Sequence, residues 1–222
     1  MVSPRPPAAV LLLLLLVIPP AGPACGPEGG ALLYWLGAAQ KEKVGAELVL
    51  GPGPILVLVD DPEERLTWAE ARDLLAEETA NALLTSKATE KVISNHAVQR
   101  LRRSRSDFED RGCREIGEMV GAERVVWLQV ADFFASEETQ DLTAAARFAV
   151  SVRVINAKAT TRDEVRLWPQ EMEGRPVKAE LSSNEMSRLK SRREITQVLT
   201  AKLGNEVARL FHEHALDDLM KP

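Results

Sequence analysis

The residue with the largest chemical consequence near the start of the chain is Cys25, which follows Ala21-Gly22-Pro23-Ala24. Those small residues come after Arg5 and an apolar run, Ala8 to Ile18, that contains six consecutive leucines. A positive charge, a short apolar core and small residues before a cut form a bacterial export signal. A thiol in this position can be diacylated before cleavage, leaving the mature chain tethered to a membrane by its first residue. Gly22 stands where a Leu-like residue is usual for that processing. The alternative is ordinary cleavage after Ala24, with Cys25 a free thiol. The apolar core is about half of the roughly 20 residues needed to span a bilayer, and Pro19-Pro20 close it, so a permanent transmembrane helix is not expected.

Elsewhere the residue types that carry chemistry are sparse. The three histidines are too few for a metal site without carboxylate help. His212 and His214, two apart on a predicted helix, would face different directions. Cys113 has the spacing of a core residue, and no Cys-His arrangement is legible. Asp60-Asp61 end an apolar strand, where α/β folds place ligand sites, although Asp-Asp-Pro also makes an ordinary turn. No Gly-rich phosphate loop, serine elbow or metal-spaced cluster can be read. No catalytic, cofactor-binding or metal residue is therefore assigned, no cofactor is called for, and a non-catalytic role is expected. The strongest surface signal is the basic cluster Arg100, Arg102, Arg103 and Arg105, with a second group at Lys190, Arg192 and Arg193. Such a cluster either is a solvated face or contacts anionic headgroups or an acidic envelope partner.

The elements that must position these residues follow from composition and pattern. The 222 residues less the 24 of the signal leave 198, enough for one good-sized core. Since 1–24 carries only Arg5, the mature chain goes from a net charge of −5 to −6, which argues against a nucleic-acid binder. If Cys25 is acylated, Cys113 has no partner and no internal disulfide staples the fold. Three segments result: a signal over 1–24, a lipidated Cys25 and tether over 25–54, and an α/β domain over 55–222. In the tether, Ala31-Leu32-Leu33-Tyr34-Trp35-Leu36 either docks on the domain or sits at lipid headgroups.

Ile55 to Val59 and Val125 to Val130 are apolar on both parities and predict neighbouring central strands covered on both faces. Thr67 and Glu70 have capping-box spacing, opening a helix to about Lys87 whose Ala71, Leu74, Leu75, Ala82 and Leu83 line one face. A short strand near Val92, a helix from His96 to Ser104 and another from Asp107 to Val120 follow. Ala146 to Val154 alternates with period 2, so one face is covered and one wet. Val165 to Trp168 and Val177 to Leu181 continue a meander, and a helix from Arg192 to Ala215 closes the chain with Ile195, Val198, Leu199, Leu203, Val207, Leu210 and Phe211 in one stripe. The expected fold is a single α/β domain: a mixed sheet in the order β-α-β-α-β, then an antiparallel meander, covered by helices including the long C-terminal one.

Val92-Ile93-Ser94 leading into Val98-Gln99-Arg100-Leu101, and then Ile116-Gly117-Glu118-Met119-Val120-Gly121-Ala122-Glu123-Arg124-Val125-Val126, resemble a segment of bacterial envelope lipoproteins. These are the curli-secretion-channel lipoproteins, the penicillin-binding-protein activator lipoproteins and the amino-terminal domain of the Tol translocation protein. Val152-Arg153-Val154-Ile155-Asn156-Ala157, followed by Val165-Arg166-Leu167-Trp168-Pro169, resembles their hairpin, with Asn156 where Asp is common. The overall likeness is to planctomycete-type lipoproteins. The resemblance implies a non-catalytic domain that binds envelope partners or assembles into rings, and it carries over no catalytic residue. With the signal and Cys25, the expectation is a lipid-anchored envelope protein whose α/β domain faces the periplasm and binds another protein. A subunit of a secretion or transport channel is the rival expectation. It needs long amphipathic strands, and the predicted partner of Ala146 to Val154, around Val165 to Trp168, is short. The signal does not distinguish the inner from the outer membrane.

Overall fold

The computed structural model describes residues 43–66, 68, 70–135 and 146–215, all within one compact unit. The signal, Cys25, the Ala31 to Leu36 patch and Thr67 of the predicted capping box lie outside the described residues. The described chain begins with a short strand, Lys43–Val44 (β1), antiparallel to His214–Ala215 (β8) at the far end of the sequence. Between them run Ile55–Asp60 (β2), Glu70–Thr85 (α1), Val92–Ile93 (β3), Asn95–Ser104 (α2) and Cys113–Met119 (α3). Arg124–Ala135 (β4), Ala146–Asn156 (β5), Arg166–Trp168 (β6), Arg175–Leu181 (β7), Ser183–Met186 (α4) and Arg192–Arg209 (α5) complete the order.

The main sheet runs β3-β2-β4-β5-β6, with β7 also on β5. As the both-parity apolar pattern predicts, β2 lies beside β4, parallel and in register from Ile55↔Arg124 to Asp60↔Gln129. Ile55 to Val59 are all buried because helices cover both sides. On one side α1 and α5 pack over Val57, Val126, Phe148 and Val152, forming the larger core. On the other, α2 and α3 cover Leu56, Leu58, Val125 and Ile155. The two large helices approach closely at Gly204, where a Cβ would lie 2.9 Å from the Thr79 backbone nitrogen. Gly117 plays the same part in α3, since a Cβ there would meet Val125 at 2.4 Å and Ala157 at 3.1 Å.

Four expectations need correction. The helix predicted from Asp107 to Val120 exists only over Cys113–Met119. Arg105 turns extended, Phe108 is buried in a turn, and Gly112, also extended, begins the helix. The closing helix stops at Arg209, not Ala215. There the Leu210 carbonyl is taken by the amides of Glu47 and Leu48, at 2.8 and 3.3 Å, so the segment after β1 ends the helix. Within it Val198 is 40% exposed and drops out of the apolar stripe. The last strands are not a simple meander: β6 and β7 both pair β5, β7 over Ala146 to Val152 and β6 over Val154 and Ile155. The long partner of β5 is β4, paired from Arg124↔Asn156 to Ala135↔Ala146 around a bulge after Val130.

Residues 43–54, placed in the tether by sequence, run along the domain, and Leu50 is fully buried in the larger core. No helix among the described residues is long and apolar enough to cross a membrane.

Candidate functional site

The two acids at the end of β2 have different fates. Asp61 is buried, and its carboxylate accepts the amides of Arg65 at 3.0 Å and Leu66 at 2.8 Å. It holds the turn that the Asp-Asp-Pro sequence predicts. Asp60 instead lines a cavity of about 230 Å³ between the sheet and the α2–α3 connection, with Arg102, Phe108, Glu109, Cys113 and Trp127 also in the wall. Burial pushes its carboxyl above the usual carboxylate range; nearby Arg72 draws it back and Glu109 pushes it further up. Cys113 is half-buried in the same wall, and burial raises its thiol as well, keeping it protonated. A thiol raised in this way is a poor nucleophile.

The four arginines singled out in the sequence divide. Arg102 packs over the Phe108 ring at 4.7 Å and donates to Glu109 at 3.1 Å, closing one side of the cavity. Arg105 reaches Asp107 at 3.9 Å. Arg100 and Arg103 are exposed, lie three apart on one face of α2, and have no ion-pair partner among the described residues. The connection after α2 is acidic, and Asp107, Glu109 and Glu115 each meet an arginine. Arg111 binds Asp107 at 2.5 Å and Glu115 at 3.3 Å, and its guanidinium holds the Asp107 carboxyl below the usual range. The unpaired positive charge of this face therefore rests on Arg100 and Arg103, while Arg102 has a structural part.

His212 and His214 lie beyond the helix on which the sequence pattern places them, with ring centroids 5.6 Å apart. Each Nδ1 is engaged by a backbone carbonyl, Ala208 at 2.8 Å and His212 at 3.1 Å. Among the described residues no group of three or more His, Cys, Asp or Glu could hold a metal ion. In the second basic group Arg193 stacks on Trp68 at 5.4 Å. Sequence reasoning missed the sheet face beside the cavity, where Trp127, Gln129 and Arg153 meet. Its only signal was the alternation that puts Arg153 on the face of β5 away from the larger core.

No protein-family model matches the chain, and no curated protein sequence does. Solved structures match over most of it at low identity. A PelC dodecamer from Paraburkholderia phytofirmans has 12% identity and a TM-score of 0.41, covering 76% of this chain and 98% of that one. A lipoprotein from Neisseria meningitidis has 16% identity and a TM-score of 0.38, covering 71% and 97%. The C-terminal domain of LpoB from Salmonella enterica has 17% identity and a TM-score of 0.32, covering 67% and 92%. At these values the likenesses carry no functional argument. The expected closeness to planctomycete-type lipoproteins finds no support among them.

Proposed function

We propose that this protein is a lipid-anchored, periplasm-facing envelope protein whose α/β domain binds another envelope component without catalysing a reaction. The export signal with Cys25 supports the location. The observation that carries the binding role is the pair Arg100 and Arg103, exposed on one face of α2 and unmatched by any carboxylate among the described residues. Arg102 and Arg105 extend that basic face but are drawn into contacts with Glu109 and Asp107. An acidic partner would find two ready charges there. The attraction falls as salt rises, because exposed charges are screened over about 8 Å at physiological ionic strength.

The test is association of the full-length protein with its membrane partner, by chemical crosslinking in cells, for wild type and for Arg100→Glu with Arg103→Glu. The reading expects the adduct to disappear while circular dichroism stays unchanged. Retention of the wild-type adduct contradicts it. A channel subunit is the second reading, favoured by the long β4–β5 hairpin. One face of that hairpin is covered by α5, and the other carries the Asp132–Arg147 ion pair and Arg153, so neither offers an apolar band to lipid. The size of the protein in detergent separates the two, since a channel must be a stable ring.

A further inference from the structure

Across Trp127 from the cavity, β5 and β6 bring two arginines together. Ile155 pairs Arg166, so Arg166 shares the face that carries Ile155 and Arg153. Arg153 stacks on the Trp127 ring at 4.9 Å and is held by neutral acceptors only, the Gln129 side-chain oxygen at 3.0 Å and the Met172 carbonyl at 2.7 Å. Its Nε is buried with no hydrogen-bond partner. Arg166 donates through Nη1 to the carbonyls of Gln170 and Glu171, at 3.4 and 3.3 Å. Its Nε and Nη2, the side-on fork, have no partner among the described residues. None of the ion pairs found among those residues includes either arginine.

Two half-buried guanidinium groups, near enough for one charge to act on the other and fixed by uncharged acceptors, have no ion-pair partner among the described residues. Burial and the Arg166 charge both lower Arg153 from its ordinary value; the Cys113 thiol opposes them, and no carboxylate does. Such an arrangement is unfavourable alone and becomes favourable when an anion joins it. Guanidinium forks match the paired oxygens of carboxylate and phosphate. We infer that Arg153 and Arg166 form an oxyanion subsite, for a carboxylate or phosphate group, on the sheet face beside the cavity. The subsite stands apart from Arg100 and Arg103 and does not depend on their role.

The experiment titrates the full-length protein in detergent, at low salt, with fluorescein-labelled hexaglutamate read by anisotropy, and separately with inorganic phosphate read by calorimetry. At least one probe should bind wild type, and Arg166→Gln should weaken that binding tenfold or more. Arg166→Lys, which keeps the charge and loses the fork, should fall between. The same tenfold loss is expected in the Arg100→Glu, Arg103→Glu background, where the α2 face is already disabled, which separates this site from that face. Arg166 lies on the short strand β6, so its substitution leaves both cores untouched, and circular dichroism checks this. Binding of hexaglutamate that phosphate does not displace assigns a protein carboxylate, and binding of phosphate alone assigns the free ion; both support the subsite. Failure of both probes to bind wild type, or binding that survives Arg166→Gln, overturns it.

Discussion

At the scale of single residues, Asp60 is one group through which pH acts on the fold. Its carboxyl is raised above the ordinary value of 3.8 in the folded chain, chiefly by burial. A raised acid contributes stability below its unfolded value, and that contribution is lost as pH rises through the folded value. Native protein at neutral pH therefore carries a desolvated carboxylate at a net cost. Asp60→Asn, which keeps an acceptor for Trp127, should be more stable than wild type at pH 7, with the advantage gone below pH 3.8. Thermal melts of both proteins across that range check it, and equal melts at pH 7 contradict it. Val57 tests the opposite case. It is 2% exposed with apolar neighbours on every side, so Val57→Asp should cost about 4 kcal/mol in denaturant titration.

At the scale of elements, close approach decides what can change. Gly204→Ala would drive a methyl against the backbone of Glu78 and Thr79, which cannot rotate away. A loss of about 2 kcal/mol is expected, read by urea unfolding, with the helices splaying and not unwinding. The elements legible in the sequence were those whose own pattern reports their surroundings. β2 and the first half of β4 are apolar on both parities because both faces are covered, and β5 alternates because one face is. What failed depended on contacts from distant segments. The apolar stripe of α5 runs on through Leu210 and Phe211, which are buried, yet the helix has ended because Glu47 and Leu48 claim the carbonyl of Leu210. The helix expected from Asp107 starts only at Cys113, because Phe108 is held under Arg102 in a turn. β6 pairs β5 as expected, but the longer partner, β4, was missed because β4 outlasts its apolar half, continuing through Asp132 and Phe134. The cavity was illegible for the same reason, being assembled from β2 at Asp60, α2 at Arg102, the following segment at Glu109 and Cys113, and β4 at Trp127. The Arg100 to Arg105 cluster was legible as charge, but its division into paired and unpaired members was not.

At the scale of the whole molecule, the proposed function needs both lipidation at Cys25 and the unpaired positive charge exposed on α2. Cys25→Ser should move the protein from the membrane fraction to the soluble periplasm, and mass spectrometry of the mature wild-type end should show an acylated cysteine. An unmodified Cys25, or a mature end elsewhere, removes the anchor. The central claim, partner binding through the α2 face, is tested most directly by a photo-crosslinking residue at exposed Ser104, beside that face, in cells producing the full-length protein. The account predicts a discrete adduct with one envelope protein that is lost when Arg100 and Arg103 are both replaced by Glu. An adduct of unchanged size and yield in that double variant, or none in the wild-type background, contradicts it.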